Sequence, residues 1–328
     1  KAQERQQPVA INLSFGNNYG SHTGTSLIET YLDDLANYWK SSIVIGSGNE
    51  GAAATHTAGT LGMGQAENVE FAVSAYESAL NLQIWKSYAD EMAVLLIHPG
   101  GMQIGPIRQM QGPQRFALGQ TQILLYYGEP SPYSPYQEIY LDFLPVRDYV
   151  DSGIWTRLIP QRIVTGRYDM WFPAGGILNE GTGFLLPREE TTLTIPSTAA
   201  KVITVGAYDA RFGQLAGFSG RGFTGNGQVK PDLAAPGVEI TSCAPGGGYT
   251  ARSGTSMATP FVTGSAALLM EWGIVRGNDA YLYGEKIKAY LIRGARPLGG
   301  GRASGLLQEY PNPQVGWGTL CLSDSLPE

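Results

Sequence analysis

Two short apolar runs flanking one amphipathic stretch constrain this chain more than anything else in it. Val9–Phe15 (VAINLSF) has strand length and ends in a loop marked by Gly16, Asn17, Asn18, Gly20 and Gly24. Ser26 followed by Glu29 is a capping-box signature for a helix start. Beyond it, Leu27, Ile28, Tyr31, Leu32, Leu35, Tyr38 and Trp39 recur at helical spacing and predict one continuous helix. Ile43–Ile45 is a second short strand, closing at Gly46-Ser47-Gly48. Strand, helix, strand at this spacing is a βαβ unit and requires a parallel sheet. Ligands of open α/β sheets bind beyond the carboxyl ends of the strands, where Gly16 and Asn49 both fall.

The texture changes between about residues 66 and 195. Short β-like runs follow one another at Glu70–Tyr76, Leu80–Trp85, Ala93–Ile97, Gln122–Tyr127, Glu138–Leu144 and Gly153–Ile159. Pro- and Gly-rich turns separate them, which suggests a sandwich or jelly roll. α/β character then resumes: Lys201–Val205 reads as a strand, Pro260–Met270 as a helix and Ala280–Arg293 as a last helix stopped by Gly294. Gly299-Gly300-Gly301 marks a loop. The expected division is therefore 1–65 and 196–328 as two parts of one α/β core, with 66–195 as a β-rich insertion. The insertion reads as a stabilising lobe, with substrate recognition or regulation as the functional alternative.

Composition narrows the partners. A net charge of −6 offers no electrostatic footprint for nucleic acid or anionic lipid. No apolar run approaches the ~18 residues of a bilayer span, so none is expected. Charged residues are sparse at 15%, and glycine is plentiful at 44, a profile of compact, turn-rich, often exported enzymes. The two cysteines, Cys243 and Cys321, fit no metal spacing and read as free, largely buried thiols. Lys1-Ala2-Gln3-Glu4-Arg5 resembles the last turn of a helix, so the chain is expected to begin inside a fold.

The chemistry centres on Ser253-Gly254-Thr255-Ser256-Met257-Ala258-Thr259-Pro260. A serine hydroxyl becomes a useful nucleophile only beside a base and donors for the developing oxyanion. Gly254 permits tight backbone geometry, and Pro260 is tolerated in the first turn of a helix. Ser256 would then sit at a helix N-terminus, where backbone N–H groups favour negative charge. Taken alone, the run reads equally as a helix cap in a Gly/Ser loop. Asn49, in a Gly-flanked turn after a parallel strand, could aim its amide at a substrate carbonyl or simply hold a turn.

The string GTSMATP resembles the nucleophile motif of the subtilase family of serine peptidases. NLSFG (12–16) is similar to that family's substrate-binding strand, and GSGNEG (46–51) to its oxyanion-asparagine segment. VITVGAYDA, LAGFSGRG and KPDLAAPGVEI follow in the family's order. The resemblance implies a subtilisin-like parallel sheet flanked by helices, Ser256 as nucleophile and Asn49 in the oxyanion hole. It implies a peptide cleft lined by Ser14, Phe15, Gly16, Gly46, Ser47, Gly48 and Thr255, and an extended protein segment as substrate. The inserted β-rich lobe and the closing run YPNPQVGWGTLCL (310–322) look like the Csp-type germination proteases of clostridia. That subgroup implies an inserted jelly roll, an extracytoplasmic or spore-associated location and cleavage of a cortex-lytic zymogen.

The base does not show itself. His22, His56 and His98 lie outside any HGTH-like context, and no aspartate is assigned the orienting role. Of the three, His56 is the best in-chain candidate, and Asp232 reads as structural. In subtilisin the triad runs Asp, His, Ser, so both partners are expected upstream of Lys1. They would be carried by an N-terminal portion that docks noncovalently, with a prodomain as a further possible partner. No cofactor is expected; the family leaves calcium open, but no Asp-rich loop of suitable spacing is readable. Two other readings stand beside the endopeptidase: a subtilase that has lost its triad and serves in binding or sensing, and a sedolisin-like peptidase. Asn49 stands where a sedolisin would carry Asp and disfavours the latter.

Overall fold

The computed structural model describes residues 1–36, 38–301 and 309–326. The chain divides into two compact units, one of residues 1–17, 22–52 and 189–328, the other of 18–21 and 53–188.

The first unit is built on the parallel sheet that the opening βαβ pattern requires. Val9–Leu13, Ser41–Gly46, Ile203–Asp209 and Leu233–Pro236 pair in that order, all parallel. Parallel sheets are covered on both faces, which is why SSIVIG is buried at every position. Alternation along that strand feeds two cores. Val44 packs with Val205, Ala258, Val262 and Leu269 on one face, while Ile43 and Ile45 pack with Leu32, Ala36 and Val202 on the other.

The helix between the first two strands runs Leu27–Ala36. Its capping box is reciprocal: Ser26 N–H and Oγ donate to Glu29 Oε2 (3.1 and 2.7 Å), and Glu29 N–H returns to Ser26 Oγ (3.4 Å). The inward face is Glu29, Leu32 and Ala36. Leu27 and Tyr31 from the expected stripe face outward, and Tyr38 and Trp39 lie past the helix end. The cause is Glu29, whose carboxyl accepts from Thr198 Oγ1 in the interior and takes the position an apolar side chain would fill.

The central helix, Thr255–Met270, starts five residues earlier than Pro260 suggested and runs on as a π-helical turn, Glu271–Val275. Its 21 residues are long and apolar enough to cross a membrane by length and composition. The sequence reading missed this because Thr, Ser and Gly interrupt the run. One face packs against the sheet through Ala258, Val262, Ala266 and Leu269. The last helix is shorter than expected, Glu285–Arg293, because Gly284 turns at φ 55 immediately before it. Leu298–Gly301 forms a 3-10 turn. Both cysteines are free, but Cys243 is exposed and Cys321 half-buried, unlike the buried thiols expected.

The second unit holds two antiparallel sheets. Six strands run in the order His56–Thr60, Arg167–Trp171, Leu80–Ser87, Tyr136–Pro145, Thr121–Tyr127, Gln114–Leu118. Five run in the order Gly183–Phe184, Glu67–Val73, Gly153–Arg162, Glu91–Ile97, Gln103–Ile107. One core, including Phe71, Leu82, Val94, Leu125, Leu141 and Leu158, draws on both sheets. This unit begins at Ala53 rather than residue 66, since His56–Thr60 pairs with Arg167–Trp171. It ends at Arg188 rather than 195, since Thr194 and Ile195 bond to Ser47 and Asn17 of the first unit.

Candidate active site

Ser256 is the second residue of the central helix and is half-buried. Gly254 caps that helix at φ 153, backbone that glycine adopts without strain. Pro260 is the sixth helical residue, so it lies beyond the first turn where it was expected. Lacking an N–H, it leaves the carbonyl of Ser256, four residues back, without its helical donor. Ser14 Oγ donates to that carbonyl instead, at 3.4 Å. Ser256 Oγ in turn lies 3.5 Å from the carbonyl oxygen of Ser14, at the outer limit of a hydrogen bond.

Asn49 is tied to the same helix start. Its Oδ1 accepts from Thr255 N–H (3.0 Å) and Thr255 Oγ1 (3.2 Å). A backbone N–H can only donate, so the amide atom facing Thr255 must be oxygen and the NH2 group points the other way. Asn49 is exposed and Thr255 buried, so the free NH2 is accessible while its anchor is not. An anchored amide donor beside a hydroxyl at a helix N-terminus is suited to binding an oxyanion.

The remaining expected cleft residues separate into two groups. Ser14, Phe15 and Gly16 are exposed, and their strand, Val9–Leu13, is the sheet edge. Gly46 and Ser47 are buried. Ser47 donates its N–H to Val205 O and accepts from Thr194 N–H, so the sheet and the chain crossing beneath it consume its backbone groups. The reading of Gly46 and Ser47 as cleft lining is corrected accordingly; Gly48, at φ 95, is half-buried. Thr255 is an anchor of Asn49, buried beneath the surface a substrate would touch.

Sequence reasoning missed Thr194. A Cβ on Gly16 would come within 2.2 Å of Thr194 Oγ1, and one on Gly48 within 2.5 Å of Thr194 Cγ2. Both glycines are therefore dictated by close approach to this one side chain. Asn12 and Thr263 were also missed: Thr263 Oγ1 donates to Asn12 Oδ1 (3.0 Å), and Asn12 Nδ2 donates to Ser14 Oγ (2.9 Å). No local pattern announces either contact.

The histidines are otherwise engaged. His22 Nδ1 lies 2.7 Å from Leu193 O. His98 Nε2 lies 3.0 Å from Asp151, and its Nδ1 accepts from Gly100 N–H. His56 belongs to the second unit, buried and stacked on Trp171 with ring centroids 4.8 Å apart. Its Nε2 is 3.2 Å from Asp169 Oδ1. Burial pushes the Asp169 carboxyl up, but His56 and Arg167 outweigh it and hold it below the usual range. Asp232 is structural, as expected: it accepts from Thr204 N–H and pairs with Lys230 (2.8 Å) and Lys288 (2.9 Å). Burial opposes its ionisation, yet the two ammonium groups keep its carboxyl low. Among the described residues no group of three or more His, Cys, Asp or Glu could hold a metal ion.

One helix N-terminus thus brings together the Ser256 hydroxyl and the anchored amide of Asn49. The family model for the subtilase family matches residues 185–318. Over 99% of its length the chain superposes on the CspB protease of Clostridium perfringens, with a TM-score of 0.90 and 37% identity. It is 39% identical over 103 residues to the serine protease AprX of Bacillus subtilis, 25% of this chain and 23% of that protein. It is also 39% identical over 102 residues to an uncharacterized protein of Aquifex aeolicus, 24% of this chain and 46% of that one. The chain thus spans less than half of these curated relatives and 66% of the CspB chain. It belongs to the subtilase family, with a CspB-like fold.

Proposed function

We propose that this chain carries the nucleophile and oxyanion donor of a subtilisin-like serine endopeptidase. Ser256 attacks the scissile carbonyl to form an acyl-enzyme, and the NH2 of Asn49 stabilises the tetrahedral oxyanion. Exposed backbone at Ser14–Gly16 takes an extended protein substrate by strand addition. The observation that carries this reading is the amide of Asn49, locked by Thr255 at the start of the helix that bears Ser256.

The aspartate and histidine come from a portion upstream of Lys1, docked noncovalently. Two surfaces support that. Val9–Leu13 is the sheet edge, paired on one side only. On the central helix, Pro260, Phe261, Gly264, Ala267 and Leu268 form an exposed stripe of small and apolar residues at helical spacing. A strand and a helix of the proposed upstream portion would cover both. From the resemblance of its inserted lobe and closing run to Csp-type germination proteases, we further propose that the protein acts in or on spores and activates a cortex-lytic zymogen.

The test is reconstitution. The chain alone is expected to leave a peptide ester intact, and the chain mixed with its upstream portion to hydrolyse it, with loss in Ser256→Ala. A complex that binds peptide without turnover would replace the enzyme reading with that of a binding or sensing protein.

A further inference from the structure

The strand Tyr136–Pro145 alternates strictly. Ile139, Leu141 and Phe143 enter the core of the second unit, which turns Glu138, Tyr140 and Asp142 onto the opposite face. Neighbouring strands place Tyr126 and Gln83 opposite Tyr140, Trp85 opposite Glu138 and Asn81 opposite Asp142. The Tyr126 and Tyr140 rings lie 5.6 Å apart, tilted by 39°. Tyr126 Oη donates to Glu138 Oε2 at 3.0 Å, and Asn81 Nδ2 donates to Tyr19 Oη at 3.0 Å.

The centre of the face is aromatic and acidic; its cations, Arg115 and Arg167, stand two strands away on either side, and Arg167 is held by Asp169. Lys86 is the one cation in the strands Leu80–Ser87, Thr121–Tyr127 and Tyr136–Pro145. Its ammonium is turned into the interior, on Gln137 Oε1 and Asp90 O at 2.6 Å each. Asp142 has no hydrogen-bond or ion-pair partner among the described residues. Burial pushes its carboxyl up; it does the same to Glu138 against the Tyr126 hydrogen bond. The Tyr140 phenol is pushed up to about 12 by burial, with Asp142, Tyr19, Glu138 and Tyr126 adding to the effect. Two partly desolvated carboxylates flanking a tyrosine pair are costly with nothing bound, and a cation relieves the cost.

We propose that the face around Tyr140 binds a basic, extended polypeptide segment. The strand rise sets the spacing: Glu138 and Asp142 stand about 13 Å apart. An extended partner presents same-side residues about every 6.8 Å, so its lysines at i and i+4 reach the two carboxylates. The lysine at i+2 falls over the rings of Tyr126 and Tyr140. This binding does not rest on the peptidase reading.

The test uses the full chain as its Ser256→Ala variant, so catalysis plays no part. A labelled decapeptide of alternating alanine and lysine is titrated by fluorescence anisotropy at low salt. Glu138→Gln with Asp142→Asn is expected to weaken binding about tenfold or more, and Tyr140→Leu about threefold to tenfold. Among the described residues no cation pairs with either carboxylate, so the double variant keeps the unfolding midpoint, which is measured alongside. Equal affinity in the double variant overturns the proposal. So does equal binding of an alanine–glutamine decapeptide or of a neutral oligosaccharide, which would make the face a general polar or glycan platform.

Discussion

Replacing Asn49 separates its two jobs. Its NH2 is free for an oxyanion, while its Oδ1 satisfies Thr255 N–H and Oγ1 at 3.0 and 3.2 Å. Asn49→Ala removes both functions. Loss of the donor costs about 10²–10³-fold in acylation, the magnitude known for a subtilisin oxyanion asparagine. Loss of the acceptor strands two donors on Thr255, which is 2% exposed, at about 1–3 kcal/mol. For a unit of this size that corresponds to about 2–10 °C in Tm. Asn49→Asp keeps the acceptor and adds a negative charge at a helix N-terminus, so its Tm stays near wild type. Its carboxylate nevertheless repels the oxyanion, and acylation falls at least as far as in Asn49→Ala. The assay is single-turnover acylation by a peptide ester in the reconstituted protein, with thermal unfolding of the same samples. Acylation within about threefold of wild type in Asn49→Asp would refute the reasoning. Equal melting of the Ala and Asp variants would refute the anchoring half of it.

The other predictions concern the frame of the site. Gly16→Ala forces a Cβ within 2.2 Å of Thr194 Oγ1 and is expected to destabilise the first unit by about 1–3 kcal/mol in denaturant titration; Thr194→Ala in the same chain, which removes that oxygen, should recover part of it. Asp232→Asn leaves Lys230 buried without its anion and should cost about 3–5 kcal/mol. Because the folded carboxyl of Asp232 lies below its unfolded value, its stabilisation is full above the unfolded pKa near 4 and is lost as pH falls through the folded one. The variant's stability should therefore be flatter than wild type in acid below about pH 4. His56→Gln should lower the stability of the second unit yet leave acylation unchanged; a large loss of rate with retained fold would restore His56 as a base.

Legibility in the sequence followed the range of the interactions. Ile43–Ile45 could be read as a parallel strand because burial on both faces writes a continuous apolar run; VAINL, the half-buried edge strand, was legible from its length and the glycine-rich loop after it. A helix N-terminus near Ser256 could be read from Gly254, but Pro260 misled as to its first residue, which lies five positions earlier. The helix Leu27–Ala36 was assigned correctly but its inward face was not, since a buried Glu29 held by Thr198 carries no apolar signal. HTAGT (56–60) shows no alternation, so the insertion's true first strand was missed. Thr194 was invisible because its role is a contact across 178 positions of chain with Gly16, expressed only in folded packing. Burial of Gly46 and Ser47 escaped notice because small residues fit a cleft and a core equally well.

The central claim, that Ser256 is a nucleophile whose base lies outside this chain, is tested most directly by covalent labelling. A fluorophosphonate probe is applied to the chain alone and to its complex with the upstream portion, and the modified residue is located by peptide mass spectrometry. The expected result is stoichiometric modification of Ser256 in the complex, little in the chain alone, and none in Ser256→Ala. An unlabelled complex, or a label on any other serine, would contradict it.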